Sequence, residues 1–268
     1  MEGLSIWSPV DIDVGTCVSW KIGNFSLWTE RYEQEWHVLQ QYSDTVTDSE
    51  PVFTVNARSD KPSSSNWKHY LLREGNRAFP VPAMMDRPVV IRPDRGLILL
   101  PGEHSHFFLS LPVWFRLLIG KKSDWKAAKP LFEFPIHPMA NAWFGDPVSG
   151  ELCYFTTARL YPDFESIPLS PINVVCPLWI SNESDKELPF DRICLHTEFL
   201  GIYRGQNRLW TNAVNVTFKG TEQDTLIQAS KKAPPHDGAA QLLTEARQTI
   251  DNRYFKRTFN LIKSFTGF

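Results

Sequence analysis

Phe134–Asp163, FPIHPMANAWFGDPVSGELCYFTTARLYPD, reads as two strands joined by a tight turn. In Asp146-Pro147-Val148-Ser149-Gly150 the proline presets φ at the second turn position, and the glycine accepts φ > 0 at the exit. Asp146 suits the turn because its side chain can bond its own backbone. Apolar, aromatic-rich runs flank the turn, Trp143-Phe144 before it and Leu152 to Phe155 after it, as a pair of strands requires.

The same texture extends in both directions. Residues 1–60 alternate between apolar and polar: Val18, Trp20 and Ile22, then Phe25 and Leu27, then His37-Val38-Leu39, then Val52 to Val55. A period of two predicts half-buried strands. Ser43 to Ser49 and Lys61 to Asn66 read as polar loops. Pro88 to Ile91, Leu97 to Leu100 and Phe107 to Pro112 read as further strands, with a turn at Pro93–Gly96 and a break at Pro101-Gly102. Lys121 to Pro130, KKSDWKAAKP, is poor in apolar residues and ends in proline, which places a domain boundary there. Ile172 to Ile180 is a strand and Ser181 to Glu187 a charged turn.

Arg192 to Phe218 reads as one long hairpin. With its loop at Arg204–Asn207, Tyr203 opposes Arg208. The continued register pairs Ile193 with Phe218, Leu195 with Val216 and Thr197 with Val214 on an apolar face. It pairs Cys194 with Thr217, His196 with Asn215 and Glu198 with Ala213 on a wetter one. From Asp237, a plausible N-cap, the pattern changes: Ala239, Leu242, Leu243, Ala246, Ile250, Tyr254, Phe255, Phe259, Ile262 and Phe265 fall at helical spacing. Arg253, Lys256 and Arg257 lie on the remaining positions and make that end basic.

Composition bounds the function. Twenty Pro work against long helices, and ten Trp with eighteen Phe beside four Met favour pleated sheet. A net charge of −2 provides no global field for nucleic acid or anionic lipid. Cys17, Cys153, Cys176 and Cys194 include no Cys-x-x-Cys pair, which argues against zinc-finger spacing. Asp11 and Asp13 interrupt the first twenty residues, so no signal peptide is expected. Phe107 to Ile119 contains Pro112 and Arg116 and is too short to span a bilayer. The expectation is a soluble, cytoplasmic protein with reduced thiols and no cofactor.

No dinucleotide fingerprint, phosphate loop, nucleophile elbow or His-Glu-x-x-His occurs. Weaker constellations remain. His104 and His106 share a strand face and would need a third metal ligand such as His137. His196 and Glu198, with Asn215 opposite, form a base and its orienter. Asp11 and Asp13 share a face that would suit a cation or protect a sheet edge. Trp28, Trp36 and Trp67 lie in polar surroundings and could stack on a sugar, or fill a core. Cys153 reads as an apolar filler.

Trp143 to Phe155, with Phe107–Pro112, Pro177–Glu183 and Leu209–Thr211, resembles the archaeal and bacterial family called domain of unknown function 432, over roughly residues 88–218. The resemblance implies no known activity and so no catalytic residues. Relatives near mechanosensitive channel genes imply a membrane-protein partner.

The expected architecture is mainly β and antiparallel, in two sandwich-like halves, with a C-terminal amphipathic α-helix. Its segments are an N-terminal β domain over 1–120, a second over 131–230 and the helix over 237–268. The expected function is a binding or regulatory module acting through protein–protein contacts or self-association, more an adaptor than an enzyme, with no nucleic-acid partner. Phe255, Phe259, Ile262, Phe265, Arg253, Lys256 and Arg257 are its expected contact residues, toward a partner chain or a membrane surface. The alternative is a metal-dependent or carbohydrate-acting β-fold enzyme using His104 and His106.

Overall fold

The computed structural model describes residues 3–44, 51–55, 57–58, 60–73, 75–121, 124–145, 147–148, 150–220, 225–239 and 241–249. The chain divides into two compact units, Met1–Ala83 with Val113–His137, and Met84–Pro112 with Pro138–Phe268.

The first unit is a sandwich of two antiparallel sheets. One has five strands in the order Val52–Val55, Cys17–Ile22, Phe25–Arg31, Glu35–Tyr42, Lys68–Leu71. The other has four, in the order Val10–Asp11, Arg77–Ala83, Trp114–Lys121, Asp124–Pro135. Their inner faces meet through aromatic rings. Phe115 from the second sheet lies 5.5 Å from Trp20 and 6.1 Å from Phe25 of the first, all three fully buried. Such rings remove a large apolar area from water and hold the layers together.

Lys121–Pro130 is no linker between the units. Lys121 ends one arm of a hairpin, Trp114–Lys121, and residues 124–130 belong to its other arm, Asp124–Pro135. Its low apolarity is that of a sheet edge. Pro130 lies beside a register shift between Leu117 and Leu118, the kind of edge-strand bulge where a missing backbone donor is tolerated.

The second unit is mixed, and the expectation of purely antiparallel pairing fails there. Its large sheet runs Leu226–Ala229, Val214–Phe218, Asn173–Asn182, Leu209–Thr211, Ile202–Arg204, Gln241–Thr244, with His104–Pro112 also pairing with Asn173–Asn182. Asn173–Asn182 is parallel to both Val214–Phe218 and Leu209–Thr211. A four-stranded sheet runs Ala140–Phe144, Glu151–Ala158, Val89–Pro93, Ile193–Leu195, with Glu151–Ala158 parallel to Val89–Pro93. Leu97–Leu99 and Leu188–Phe190 form a two-stranded sheet.

The long hairpin over Arg192–Phe218 is therefore broken up. Only Ile202–Arg204 and Leu209–Thr211 pair as a hairpin, with Tyr203 opposite Trp210. Ile193–Leu195 pairs with Val89–Pro93 in the other sheet, and Val214–Phe218 pairs with Asn173–Asn182. Alternation within the strand is independent of its partner, so Val214, Val216 and Phe218 are still buried and Asn215 exposed.

The C-terminal amphipathic helix is overturned. Among the described residues there are only 3-10 turns, the longest the five residues Gly3–Trp7. Asp237 adopts φ 51°, and its Oδ2 accepts from the Asn207 and Arg208 amides, each at 3.1 Å, and from Trp210 Nε1 at 3.3 Å. It anchors the loop of the short hairpin instead of capping a helix. Gln241–Thr244 is a strand on Ile202–Arg204, and Gln248 N donates to Glu198 O at 3.0 Å. The spacing of Ala239, Leu242 and Leu243 fits one helical turn or one short strand equally, and the long-range partner decides. Ile250, Arg253, Phe255, Lys256, Arg257, Phe259, Ile262 and Phe265 lie outside the described residues.

Candidate functional site

The His196–Glu198 pair predicted from sequence exists, built by a turn and not by a strand face. Strand Ile193–Leu195 ends at His196, and Thr197–Phe199 is one 3-10 turn. Thr197 Oγ1 donates to Arg87 O at 2.9 Å, which fixes that turn. The turn sets His196 Nδ1 2.9 Å from Glu198 Oε1. On the other side, His196 Nε2 is 3.5 Å from Oε1 of Glu151, the first residue of its strand.

Burial pulls the His196 pKa down, but the Glu198 hydrogen bond and the charges of Glu198 and Glu151 outweigh it and the net shift is upward. Burial raises the Glu151 pKa against the favourable His196 charge. Glu198 Oε2 is buried with no hydrogen-bond partner among the described residues. Next to this group, Cys153 Sγ and Cys194 Sγ are 3.9 Å apart, both buried. The Cys153 contact and burial push the Cys194 thiol well up, the opposite of what activates a nucleophile. A histidine held between two carboxylates has both ring nitrogens facing acidic oxygens. The adjoining apolar cavity, lined by Phe144, Phe190, Cys194 and Val216, holds about 40 Å³, far below a substrate pocket. The cluster's chemistry is that of a buried ion pair.

Asn215 does not join this pair. It lies on the large sheet between Trp179 and Gln228. His104 and His106 do share a face, opposite Ser181 and Trp179, and His106 stacks on Trp179 with ring centroids 5.0 Å apart. His137 belongs to the first unit and they to the second. Burial lowers the His137 pKa. Asp11 is exposed and pairs with Arg77 Nη1 at 3.2 Å. Trp28 and Trp36 are buried and Trp67 packs under Lys61, so all three fill the first unit. Asp146 lies outside the described residues. Gly145 at this turn is left-handed, with φ 104°.

The feature that sequence reading missed sits in the stretch it started from. Ala140–Phe144 is an edge strand whose one neighbour among the described residues is Glu151–Ala158. Its sequence, ANAWF, has no charge and no proline. Trp143 is 55% exposed, its cross-strand partner Leu152 43%, and Val148 in the connecting turn 94%. Phe144 and Cys153, on the opposite face, are buried. The clue was alternation: Trp143 and Phe144 are adjacent on one strand, so one of them had to face outward.

No helix among the described residues is long and apolar enough to cross a membrane. No curated protein and no solved structure matches the chain. A family model does, over residues 6–263 and so nearly end to end, and the chain belongs to that family, described as protein of unknown function (DUF432).

Proposed function

We propose that this chain is a binding module that takes up an extended strand of a partner protein along Ala140–Phe144. The observation that carries the reading is a sheet edge that, among the described residues, pairs with a strand on one side only. Natural sheets blunt such edges with charges, proline or a cover, because a row of unpaired backbone groups templates another strand. Here ANAWF has neither charge nor proline, and Trp143 with Leu152 offers an apolar ridge beside it. Strand addition would draw affinity from main-chain hydrogen bonds and specificity from alternate side chains against that ridge.

The test compares the full-length chain with the Asn141→Lys/Trp143→Lys double variant as bait, in extracts made with and without detergent so that membrane proteins are sampled. Both side chains are exposed, so the variant should melt with the wild type. Partners held by the wild type should be lost. If the double variant keeps every partner, the edge is not the docking site. Sedimentation of the wild type alone reports self-association through the same edge.

A second reading is favoured by a row on the large sheet. His106, Trp179, Asn215 and Gln228 are successive cross-strand partners, with Trp179 and both amides exposed. An indole flanked by amide donors suits a sugar face. Saccharide quenching of tryptophan fluorescence, absent in Trp179→Ala, would support it; quenching unaffected by that change would not.

A further inference from the structure

We propose that Glu35, His37 and His69 form a binding site for a divalent transition metal, zinc foremost, on the outer part of the five-stranded sheet. Glu35 and His37 lie two apart on the strand Glu35–Tyr42 and so share a face. His69 is the cross-strand partner of His37 on the edge strand Lys68–Leu71. Register alone therefore sets two imidazoles and one carboxylate on one face. Glu35 Oε2 is 2.9 Å from His37 Nε2 and 3.7 Å from His69 Nδ1, and the three donor atoms all lie within 4.8 Å of one another. A tetrahedral zinc ion with bonds near 2.0–2.1 Å needs its donors about 3.3 Å apart, which small side-chain rotations reach from here.

Surroundings favour an ion over a bare hydrogen bond. The His37 and His69 rings are 3.9 Å apart, with Tyr32 against His37 at 4.2 Å. Two imidazoles in contact share one carboxylate; an ion between the three would satisfy both rings at once. Glu30, the partner of His37 on the next strand, does not compete, because it is buried and bound to Lys61 at 2.5 Å. On the open side, His69 and Glu35 reach solvent. Two histidines, one glutamate and a position left for water is the ligand count of an open site and not of a closed structural one.

The site also extends the logic of paired donors that pointed to His104 and His106. Those two have a shared face but no third donor grouped with them among the described residues, whereas Glu35 and His37 have His69.

The experiment uses the full-length chain without an affinity tag, freed of metal by chelator, and titrates zinc chloride by calorimetry and thermal melting. Cobalt is added in parallel as a spectroscopic probe. One equivalent of zinc, a rise in melting temperature reversed by chelator, and a cobalt spectrum without a thiolate charge-transfer band are expected. His69→Ala and Glu35→Gln should fold like the wild type and lose the zinc-dependent shift. The thiolate band would place the ion instead at the second group of donors, Glu151, Cys153 and Cys194, and overturn the proposal. Zinc retained at full affinity by both variants, or no stoichiometric uptake by the wild type, would also overturn it.

Discussion

The two polar clusters contain the same contact in different settings. In the first unit His37 and Glu35, two residues apart, meet at 2.9 Å; in the second His196 and Glu198, also two apart, meet at 2.9 Å. The carboxylate side chain is 40% exposed in the first and 8% in the second. On the sheet, water solvates the pair and a second histidine stands open beside it. At the 3-10 turn the pair is enclosed, a second carboxylate closes the far side, and two thiols fill the rest. Burial decides what an identical hydrogen bond does: one pair remains available to a ligand, the other fixes a corner of the fold.

Breaking the buried pair should have the largest effect. Glu198→Ala leaves a half-buried histidine with Glu151 alone, and removing one partner of a buried ion pair costs at most about 3–5 kcal/mol. Urea unfolding with the second unit's signal should show that loss. Glu35→Ala should lower the unfolding midpoint far less. Equal effects at the two sites would break the contrast.

The pH responses should have opposite signs. The folded pKa of His196 is raised, so its contribution is complete below its unfolded value, about 6.5, and is lost as pH rises through the folded value above that. Glu151, also raised, acts in the same direction. The wild-type advantage over Glu198→Gln should therefore be greatest near pH 6 and shrink as the solution becomes alkaline. Glu35 is lowered, so its contribution is present above about pH 4.3 and lost as pH falls through its folded value. Melting curves of both variants across pH test the two signs. An alkaline loss at Glu35, or none at Glu198, contradicts the assignment.

Asp237 lies between these extremes, half-buried and accepting three donors. Asp237→Ala should cost about 1–3 kcal/mol, because the Asn207 and Arg208 amides and the indole lose their acceptor together. As a simple helix cap, its loss would leave the melting of the Ile202–Arg204 hairpin unchanged.

What was legible follows the range of the interactions. The strands at 17–22, 25–31 and 52–55 announce themselves through local alternation, the core of 104–112 through the apolar run Phe107–Pro112, and the break at Pro101-Gly102 falls where Gly102 is left-handed at φ 75°. His196 and Glu198 were legible as a pair because two residues separate them. His37 and His69 were not: a loop and a second strand intervene, and only the register of Glu35–Tyr42 against Lys68–Leu71 brings them together. The parallel strands escaped for the same reason, since Asn173–Asn182 finds Val214–Phe218 across an intervening hairpin and no local period encodes that choice. At the C-terminal end, Leu242 beside Leu243 suits helix or strand, and Ile202–Arg204 settles it as strand.

The smallest effect belongs to His69. Its side chain is 56% exposed, and its strand Lys68–Leu71 is the edge of its sheet, with three of four residues exposed. Replacing it with alanine removes one ring stacked on His37 and one contact to Glu35, both already in reach of water. Surface contacts of this sort contribute little, because solvation and side-chain entropy nearly offset them. His69→Ala should therefore melt with the wild type in metal-free buffer, across the pH range in which Glu198→Ala does not. A drop comparable to that of Glu198→Ala would mean that this face of the sheet is enclosed. The two clusters would then differ only in composition, and burial would no longer be what separates them.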